Sequence, residues 1–387
     1  MRICMVTLRD VRNIMRIRRE AASLASRHEV CVVDHVRGGG GSRRLDGFTV
    51  RSVPLVAHRL PSSPFFWPVM YLEFLLRATT AAIAAGADAY HGHEVVGALP
   101  AWIAARLRRA DFVYDAHELE LDRTGPVTRS WIGALHRSFV LWLLRRADRV
   151  ICASEARSAV MVERYGLKTR PLSIMNVTPR DGLPEGPTAV WPAGPPPQAA
   201  RLLVYQGVLT RGRGLANMVG ALKHLPEDIV LVVVGDGAAG DDMRARAQAD
   251  GTAGRLWMVG KVPAAQVVSY MRLAHAGIVI YRDTNLNNHH CSPNKLYDYC
   301  AAGVPIVGSD QPEIRSLVER FDVGALFDPE DPRSLARAVL EVVGDEEIRS
   351  RMARNAERVR SEINWEGQGE RLLSLYAGLA SERTQRR

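Results

Sequence analysis

The run Ser292-Pro293-Asn294-Lys295-Leu296-Tyr297-Asp298 gathers a hydroxyl, a proline, an amide, a cation and a carboxylate within seven residues. Ser before Pro predicts a helix start, with Ser292 as N-cap and Pro293 at the first helical position. Gly303 predicts the left-handed stop of the same helix. Backbone N–H groups in a first turn have no intrahelical acceptor. With the Lys295 ammonium beside them, the N–H groups of Asn294 and Lys295 suit an anion, in particular a diphosphate. Asp298 follows about one turn later, placed to accept hydrogen bonds from ribose hydroxyls. A helix that serves only packing needs neither a lysine at its positive end nor an acid behind it.

Other polar groups are weaker signals. His289-His290 lacks a spaced third ligand, and the five cysteines (4, 31, 152, 291 and 300) form no C-x-x-C, so neither a metal site nor a disulfide framework is expected. Gly235-Asp236-Gly237-Ala238-Ala239-Gly240 is a literal G-x-G-x-x-G after an apolar run. A dinucleotide fold also needs an acid at a strand end about 20 residues on. Here Trp257–Val259 leads into Gly260-Lys261 instead, which argues against a nicotinamide enzyme.

The elements that must position these groups follow from periodicity. The 387 residues, 47% hydrophobic and 24% charged, describe a soluble globular enzyme of two or three domains. Strands are predicted at Arg2–Leu8, Glu29–Asp34, Ala89–His91, Phe112–Asp115 and Arg149–Ala153, with a helix over Ile14–Ser26. After Thr178–Ala200, whose Trp191-Pro192-Ala193-Gly194-Pro195-Pro196-Pro197 reads as a semi-rigid linker, alternation restarts. Strands follow at Leu202–Gln206, Ile229–Val234, Leu256–Val259, Gly277–Tyr281 and Val304–Gly308, with helices at Leu215–Leu222, Lys295–Ala302, Pro332–Val343, Glu346–Ser361 and Trp365–Leu379. The pattern implies two doubly wound parallel-sheet domains, with ligands at the carboxyl ends of the strands in the cleft between them.

Charge is uneven. Residues 1–190 hold 27 Lys+Arg against 18 Asp+Glu, a net +9, and residues 191–387 hold 24 of each, a net zero. The asymmetry suggests an anionic acceptor or a membrane surface for the first half, although only four of the 51 basic residues are lysine, as an arginine-biased genome would give. Phe65–Tyr71 and Trp131–Arg149 carry aromatic and leucine side chains among arginines. Trp131, Leu135, Phe139 and Trp142 are at helical spacing near Arg129, Arg137, Arg145, Arg146 and Arg149, a combination that suits interfacial adsorption or a core-facing helix. No apolar run is long enough to span a bilayer and no signal peptide is evident, so the chain reads as cytoplasmic, with peripheral membrane contact open.

The longer run His290–Val307 resembles the donor-site motif of retaining glycosyltransferases of family 4, in the subgroup written S-P-N-K-L-x-[DE]-Y-x-A-x-G-x-P. Matches extend over nearly the whole chain. Tyr205-Gln206-Gly207-Val208-Leu209-Thr210-Arg211-Gly212-Arg213-Gly214 resembles the loop after the first strand of the family's second domain, where a basic residue matched by Arg213 holds the donor diphosphate. Val232–Gly237 and Val259-Gly260-Lys261-Val262 match the next strand ends, the latter where the family seats the base. Asp88–Glu94 and Val113–Glu118 resemble the "D-x-x-H-x-H" and "Y-D-x-H-E" segments of the first domain, and Ala147–Glu155 resembles a strand and helix start near that domain's end. The sequence departs from the pattern at His290, where many members carry a glutamate, and at Val208, where an arginine is common and Arg211 is the available substitute. Thr7-Leu8-Arg9-Asp10 also replaces the glycine-rich loop after the first strand.

The resemblance implies a GT-B fold: an acceptor-binding domain at 1–180, a Pro-rich linker at 181–200, a nucleotide-sugar-binding domain at 201–362 and a closing helix at 363–380 that crosses back. It implies transfer of a sugar from a nucleoside diphosphate to an acceptor hydroxyl with retained configuration, without cofactor or metal. His117, Arg213 and Lys295 are then the catalytic candidates. Gly207, Arg211, Arg213, Gly260, Lys261, Pro293, Asn294, Lys295, Leu296 and Asp298 would bind the donor. His91, His93 and Glu118 would bind a glycan, lipid-linked or small-molecule acceptor. No nucleic-acid partner is expected. The competing readings are a sugar-nucleotide epimerase of the same build and a non-catalytic subunit that binds nucleotide-sugar or glycan.

Overall fold

The computed structural model describes residues 1–61, 63, 65–122, 131–183, 185–192 and 194–385. The chain divides into two units, Met1–Asn176 with Glu366–Arg387, and Val177–Trp365.

In the first unit, strands β1 (Arg2–Val6), β2 (Glu29–His35), β3 (Gly41–Leu45), β4 (Phe48–Val53), β5 (Ala89–His93), β6 (Asp111–Ala116), β7 (Arg149–Cys152) and β8 (Leu172–Ser173) form one sheet. Their order is β3-β4-β2-β1-β5-β6-β7-β8. All pairs are parallel except β3 with β4. Ile3, Cys4, Met5 and Val6 are buried in succession, as expected of a central strand covered on both faces. The β3–β4 hairpin was not anticipated. Its turn is Asp46-Gly47, both at positive φ (45° and 87°), the conformation that a two-residue hairpin loop requires.

Helices α1 (Met15–Ala25), α2 (Trp67–Ala85), α3 (Glu94–Arg108), α4 (Trp131–Arg146) and α5 (Glu155–Glu163) cover this sheet. Helix α3 lies so close to β1 that a Cβ on Gly97 would sit 2.2 Å from the Val6 carbonyl oxygen. From Glu366 onward, the last helix (Trp365–Gln385) belongs to this unit. It is tied there by Tyr376 to His91 at 2.9 Å, Arg371 to Glu155 at 2.9 Å and an Arg149–Glu382 ion pair. Arg129 and the side chain of Trp131 lie outside the described residues. Beyond them, Leu135 is exposed, while Trp142 turns inward against Trp102 with ring centroids 4.6 Å apart.

The second unit is an all-parallel sheet of β9 (Arg201–Gln206), β10 (Ile229–Val234), β11 (Leu256–Gly260), β12 (Ala276–Val279), β13 (Ile306–Ser309) and β14 (Gly324–Phe327), ordered β11-β10-β9-β12-β13-β14. Strand order therefore reverses beside β9, and the loops leaving β9 and β12 diverge there, as at the ligand crevice of open α/β sheets. Residues 177–200 are grouped with this unit. The described part of the expected linker packs along α8 (Ala264–Arg272): Tyr270 is hydrogen-bonded to the Val190 backbone and packs edge-on against Trp191. Trp257 donates to the Gly194 carbonyl at 3.2 Å. Pro184 and Ala193 lie outside the described residues. Among the described residues, no helix is long and apolar enough to cross a membrane.

Candidate functional site

In the second unit the site begins at helix α10 (Asn294–Ala301). The cap differs from the sequence expectation. Pro293 is the N-cap, extended at φ −76° and ψ 138°, and the Ser292 hydroxyl turns instead to the Tyr297 hydroxyl at 3.1 Å. With Pro293 at the cap, the Leu296 N–H closes a short turn onto the Pro293 carbonyl at 3.0 Å. That N–H is therefore not available to a ligand, and the Leu296 side chain is core. The open donors of the first turn are the N–H groups of Asn294 and Lys295. The stop is as expected: Gly303 sits at φ 70°, and the Val304 N–H bonds back to the Tyr299 carbonyl.

Lys295 is buried, and its Nζ has no hydrogen-bond partner among the described residues. It lies 4.0 Å from the centre of the Tyr205 ring, at the end of β9. Arg213, half-buried on the loop after β9, stacks on Tyr281 at 4.9 Å. Neither Lys295 nor Arg213 forms an ion pair among the described residues. Burial, followed by the Arg213 charge, pushes the Lys295 ammonium down to about 7. Two cations thus gather beside the Tyr281 ring and an open helix N-terminus, neither of them ion-paired among the described residues. Leaving an ammonium unsatisfied in a core is costly, and a bound anion would remove that cost.

Glycines bring the backbone to this point. Gly207, at φ 134°, has its Cα side against Lys295, where a Cβ would lie 3.1 Å from Nζ. Gly235 at φ 147° presses onto the same loop, and a Cβ there would meet the Gly207 carbonyl oxygen at 2.0 Å. The glycines after β10 therefore serve loop-on-loop packing, which accounts for a dinucleotide-like spelling without the rest of that motif.

The remaining expected donor residues are scattered. One oxygen of Asp298 accepts from the Thr178 hydroxyl at 3.1 Å. Gly260, at φ 84°, ends β11 and accepts from the Gly235 N–H, and Lys261 beyond it is exposed. Arg211 points away into a solvated pair with Asp242 at 2.9 Å, so it does not stand in for the missing arginine at position 208. His289 is paired with Asp283.

The first unit holds a second polar cluster at the carboxyl ends of β5 and β6. His91 and His93 end β5, while Asp115 and His117 lie at and just past the end of β6. Helix α1 contributes Arg16 and Glu20. Arg16 binds Asp115 in bidentate fashion, at 3.1 and 2.8 Å, and donates to the Ile174 carbonyl at 2.7 Å. His93 Nδ1 and His117 Nε2 both reach Asp115 Oδ2, at 3.0 and 2.9 Å. His91 and His93 are 0% and 1% exposed. They present nothing to an acceptor, so the contact role expected of them is replaced by one inside the core. His117 and the exposed Glu118 are the cluster's edge at the surface. Sequence reasoning placed Asp115 beside His117 but missed Arg16, Glu20 and Tyr376, because no local motif connects them to these strands.

Glu20, His91, His93 and Asp115 bring four possible ligand atoms within 4.8 Å of one another. Charge bookkeeping favours a proton over a metal ion here. Burial, with Asp115 adding to it, raises Glu20 well above the usual carboxylate range. Asp115 is held well below that range: burial opposes this, and Arg16 outweighs it. Burial lowers both buried histidines. Arg16, 3.0 Å from Glu20 and 2.8 Å from Asp115, already supplies a cation to both carboxylates, and a divalent ion on two ionised carboxylates beside it would leave a net positive core.

Comparison with known proteins supplies the class. The family described as Glycosyl transferases group 1 matches residues 192–359, and the Glycosyl transferase 4-like domain matches residues 14–175. A glycogen synthase of Mycobacterium tuberculosis is 25% identical over 311 residues, 77% of this chain and 70% of that protein. The structure of sucrose-phosphate synthase from Thermosynechococcus elongatus superposes with a TM-score of 0.79 at 17% identity, covering 98% of this chain and 99% of that one. The Anabaena protein HepE, solved with UDP and glucose, gives 0.72 at 15% identity, covering 98% and 100%. The two matched domains and the fold make the chain a glycosyltransferase of GT-B fold.

Proposed function

We propose that the protein transfers a sugar from a nucleoside diphosphate to an acceptor hydroxyl with retained configuration, in the manner of the S-P-N-K subgroup. The observation that carries this reading is the buried Lys295 ammonium, without a hydrogen-bond partner among the described residues, near Arg213 at the open N-terminus of α10. During transfer a diphosphate departs while positive charge grows on the sugar ring. Arg213, Lys295 and the N–H groups of Asn294 and Lys295 would take up the leaving charge, fixed in advance and shielded from water. Tyr205 and Tyr281 hold the two cations without neutralising them. The strand ends at Gly260-Lys261 and Asp298 are proposed to receive the nucleoside. UDP in the HepE structure makes uridine the first base to try. His117 and Glu118 would contact sugar or acceptor, with no metal on the diphosphate. Arg213→Ala tests the assignment: it should abolish transfer and nucleoside-diphosphate binding, and unchanged turnover would remove the site.

A lipid-linked acceptor on the cytoplasmic membrane face is supported by the outer surface of the first unit. Helices α2, α3 and α4 lie side by side. Val69, Leu72 and Leu76 make an exposed stripe on α2, joined by Leu107 on α3 and by Ile132 and Leu135 on α4. The three helices hold six arginines (77, 106, 108, 137, 145 and 146) against Glu73 and Glu94. Arg77 is paired with Glu73 at 2.8 Å, but arginines still outnumber acids, and apolar side chains among such an excess suit an anionic bilayer surface, whereas two copies of such a face would repel each other. Beside the N-terminus of α2, a pocket of about 560 Å³ between Arg37, His58, Leu60, Phe66 and Met70 offers room for an apolar tail. Sedimentation with vesicles of anionic lipid, and its absence with neutral vesicles, is the expected result.

A further inference from the structure

The geometry points to Asp115 as the positioning residue that holds His117 in its Nε2–H tautomer, keeping Nδ1 as a hydrogen-bond acceptor for a substrate hydroxyl. The inference rests on the proposal that His117 contacts substrate, and adds what that contact must be. Asp115 is fully buried, and both of its oxygens receive Arg16, at 2.8 Å on Oδ1 and 3.1 Å on Oδ2. A carboxylate so held by a guanidinium is an acceptor only.

At 2.9 Å from Oδ2, an unprotonated His117 Nε2 would set lone pair against lone pair, so the proton is on Nε2. The same argument applies to His93 Nδ1 at 3.0 Å. His93 Nδ1 is also 3.3 Å from His117 Nε2, but its hydrogen is already directed to Asp115. The His117 backbone is fixed as well, because Arg157 donates to its carbonyl at 2.6 Å. On the outer edge of the ring, Glu94 Oε1 stands 3.8 Å from Nδ1, beyond hydrogen-bond range, so no acceptor among the described residues holds a proton on Nδ1. Glu94 is itself drawn toward Arg9 at 3.5 Å. His117 is the one histidine of this cluster that reaches solvent, with 17% of its side chain exposed. Its outward atom is a lone pair. Such a group selects a hydroxyl that donates, and rejects a phosphate or carbonyl oxygen.

The test is the ring nitrogen spectrum of the full-length protein labelled with nitrogen-15 histidine, with the His117 signals assigned by their loss in His117→Ala. The inference expects a protonated Nε2 and a bare Nδ1 at pH 8. A protonated Nδ1, two averaged tautomers or a doubly protonated ring would overturn it. In Asp115→Asn, the tautomers should mix and kcat should fall at least ~10-fold, as for loss of a tautomer-fixing acid, while the donor KM stays within twofold. A folded Asp115→Asn protein with the wild-type ring pattern and kcat would also overturn it. If that variant does not fold, the wild-type spectrum decides alone. Full transfer activity in His117→Ala would remove the substrate role of His117 while leaving the tautomer result standing, so the two failures are separable.

Discussion

Replacing Lys295 with methionine should make the free protein more stable and less able to bind its donor. The ammonium is buried without a hydrogen-bond partner among the described residues, and its pKa falls from an ordinary 10.5 to about 7. Each unit of pKa corresponds to ~1.4 kcal/mol, so at pH 7 the folded state carries a cost of up to ~4 kcal/mol for this group. The sign follows from proton counts. Between pH 7 and 10.5 the unfolded chain binds the proton and the folded chain does not, so stability rises with pH across that window. The cost is fully present below pH 7 and gone above 10.5. Methionine keeps the volume and drops the charge. With partial relaxation, Lys295→Met should gain about 2–4 kcal/mol at pH 7 and raise the melting temperature of the second unit by roughly 5 °C or more. The advantage should shrink toward pH 10. Nucleoside-diphosphate affinity should meanwhile fall about 100-fold, the scale of a charge-assisted contact in a desolvated site. Thermal denaturation at pH 6, 7 and 10, with calorimetric titration of ligand, reads both effects. A variant that is less stable at every pH and binds ligand normally would refute the reasoning.

Further outcomes follow from the same geometry. Because the free Lys295 is about half-protonated near pH 7, diphosphate binding at pH 8 should draw in close to one proton. Titrations in buffers of different ionisation enthalpy measure this, and no uptake would mean that the ammonium is already charged. Gly97→Ala places a Cβ 2.2 Å from the Val6 carbonyl oxygen and should cost at least ~2 kcal/mol, read by urea denaturation, although alanine is ordinarily the better helix former. The double variant Leu72→Glu, Leu76→Glu should leave melting unchanged, because both side chains are exposed, while sharply reducing sedimentation with anionic vesicles.

How far the sequence could be read depends on how local each signal is. Strand β10 is an unbroken apolar run, as is β1 after Arg2, and α12 (Pro332–Val343) begins at an Asp-Pro pair, so their limits are written in neighbouring residues. The α10 start was legible, but its cap was not. Whether Ser292 caps the helix or bonds to Tyr297 is settled by where the Tyr297 ring packs, which the motif does not encode. The β3–β4 hairpin carried an Asp-Gly turn signal, yet β3 reads Gly-Ser-Arg-Arg-Leu, an edge strand with too little apolar alternation to stand out. The Asp115 cluster was the least accessible. Arg16 and Glu20, His91, Asp115 and Tyr376 come from four distant segments, and only the tertiary fold brings them together. Arg211 failed for a similar reason: its nearest acid, Asp242, is 31 residues away on another element.

The central claim, that Arg213 and Lys295 form a diphosphate site, is tested most directly by calorimetric titration of the full-length protein with UDP, GDP, dTDP and ADP in turn, repeated on Arg213→Ala. The account predicts one-to-one binding that favours one base and is lost in the variant. Binding of no nucleoside diphosphate, or binding that Arg213→Ala leaves intact, would contradict it.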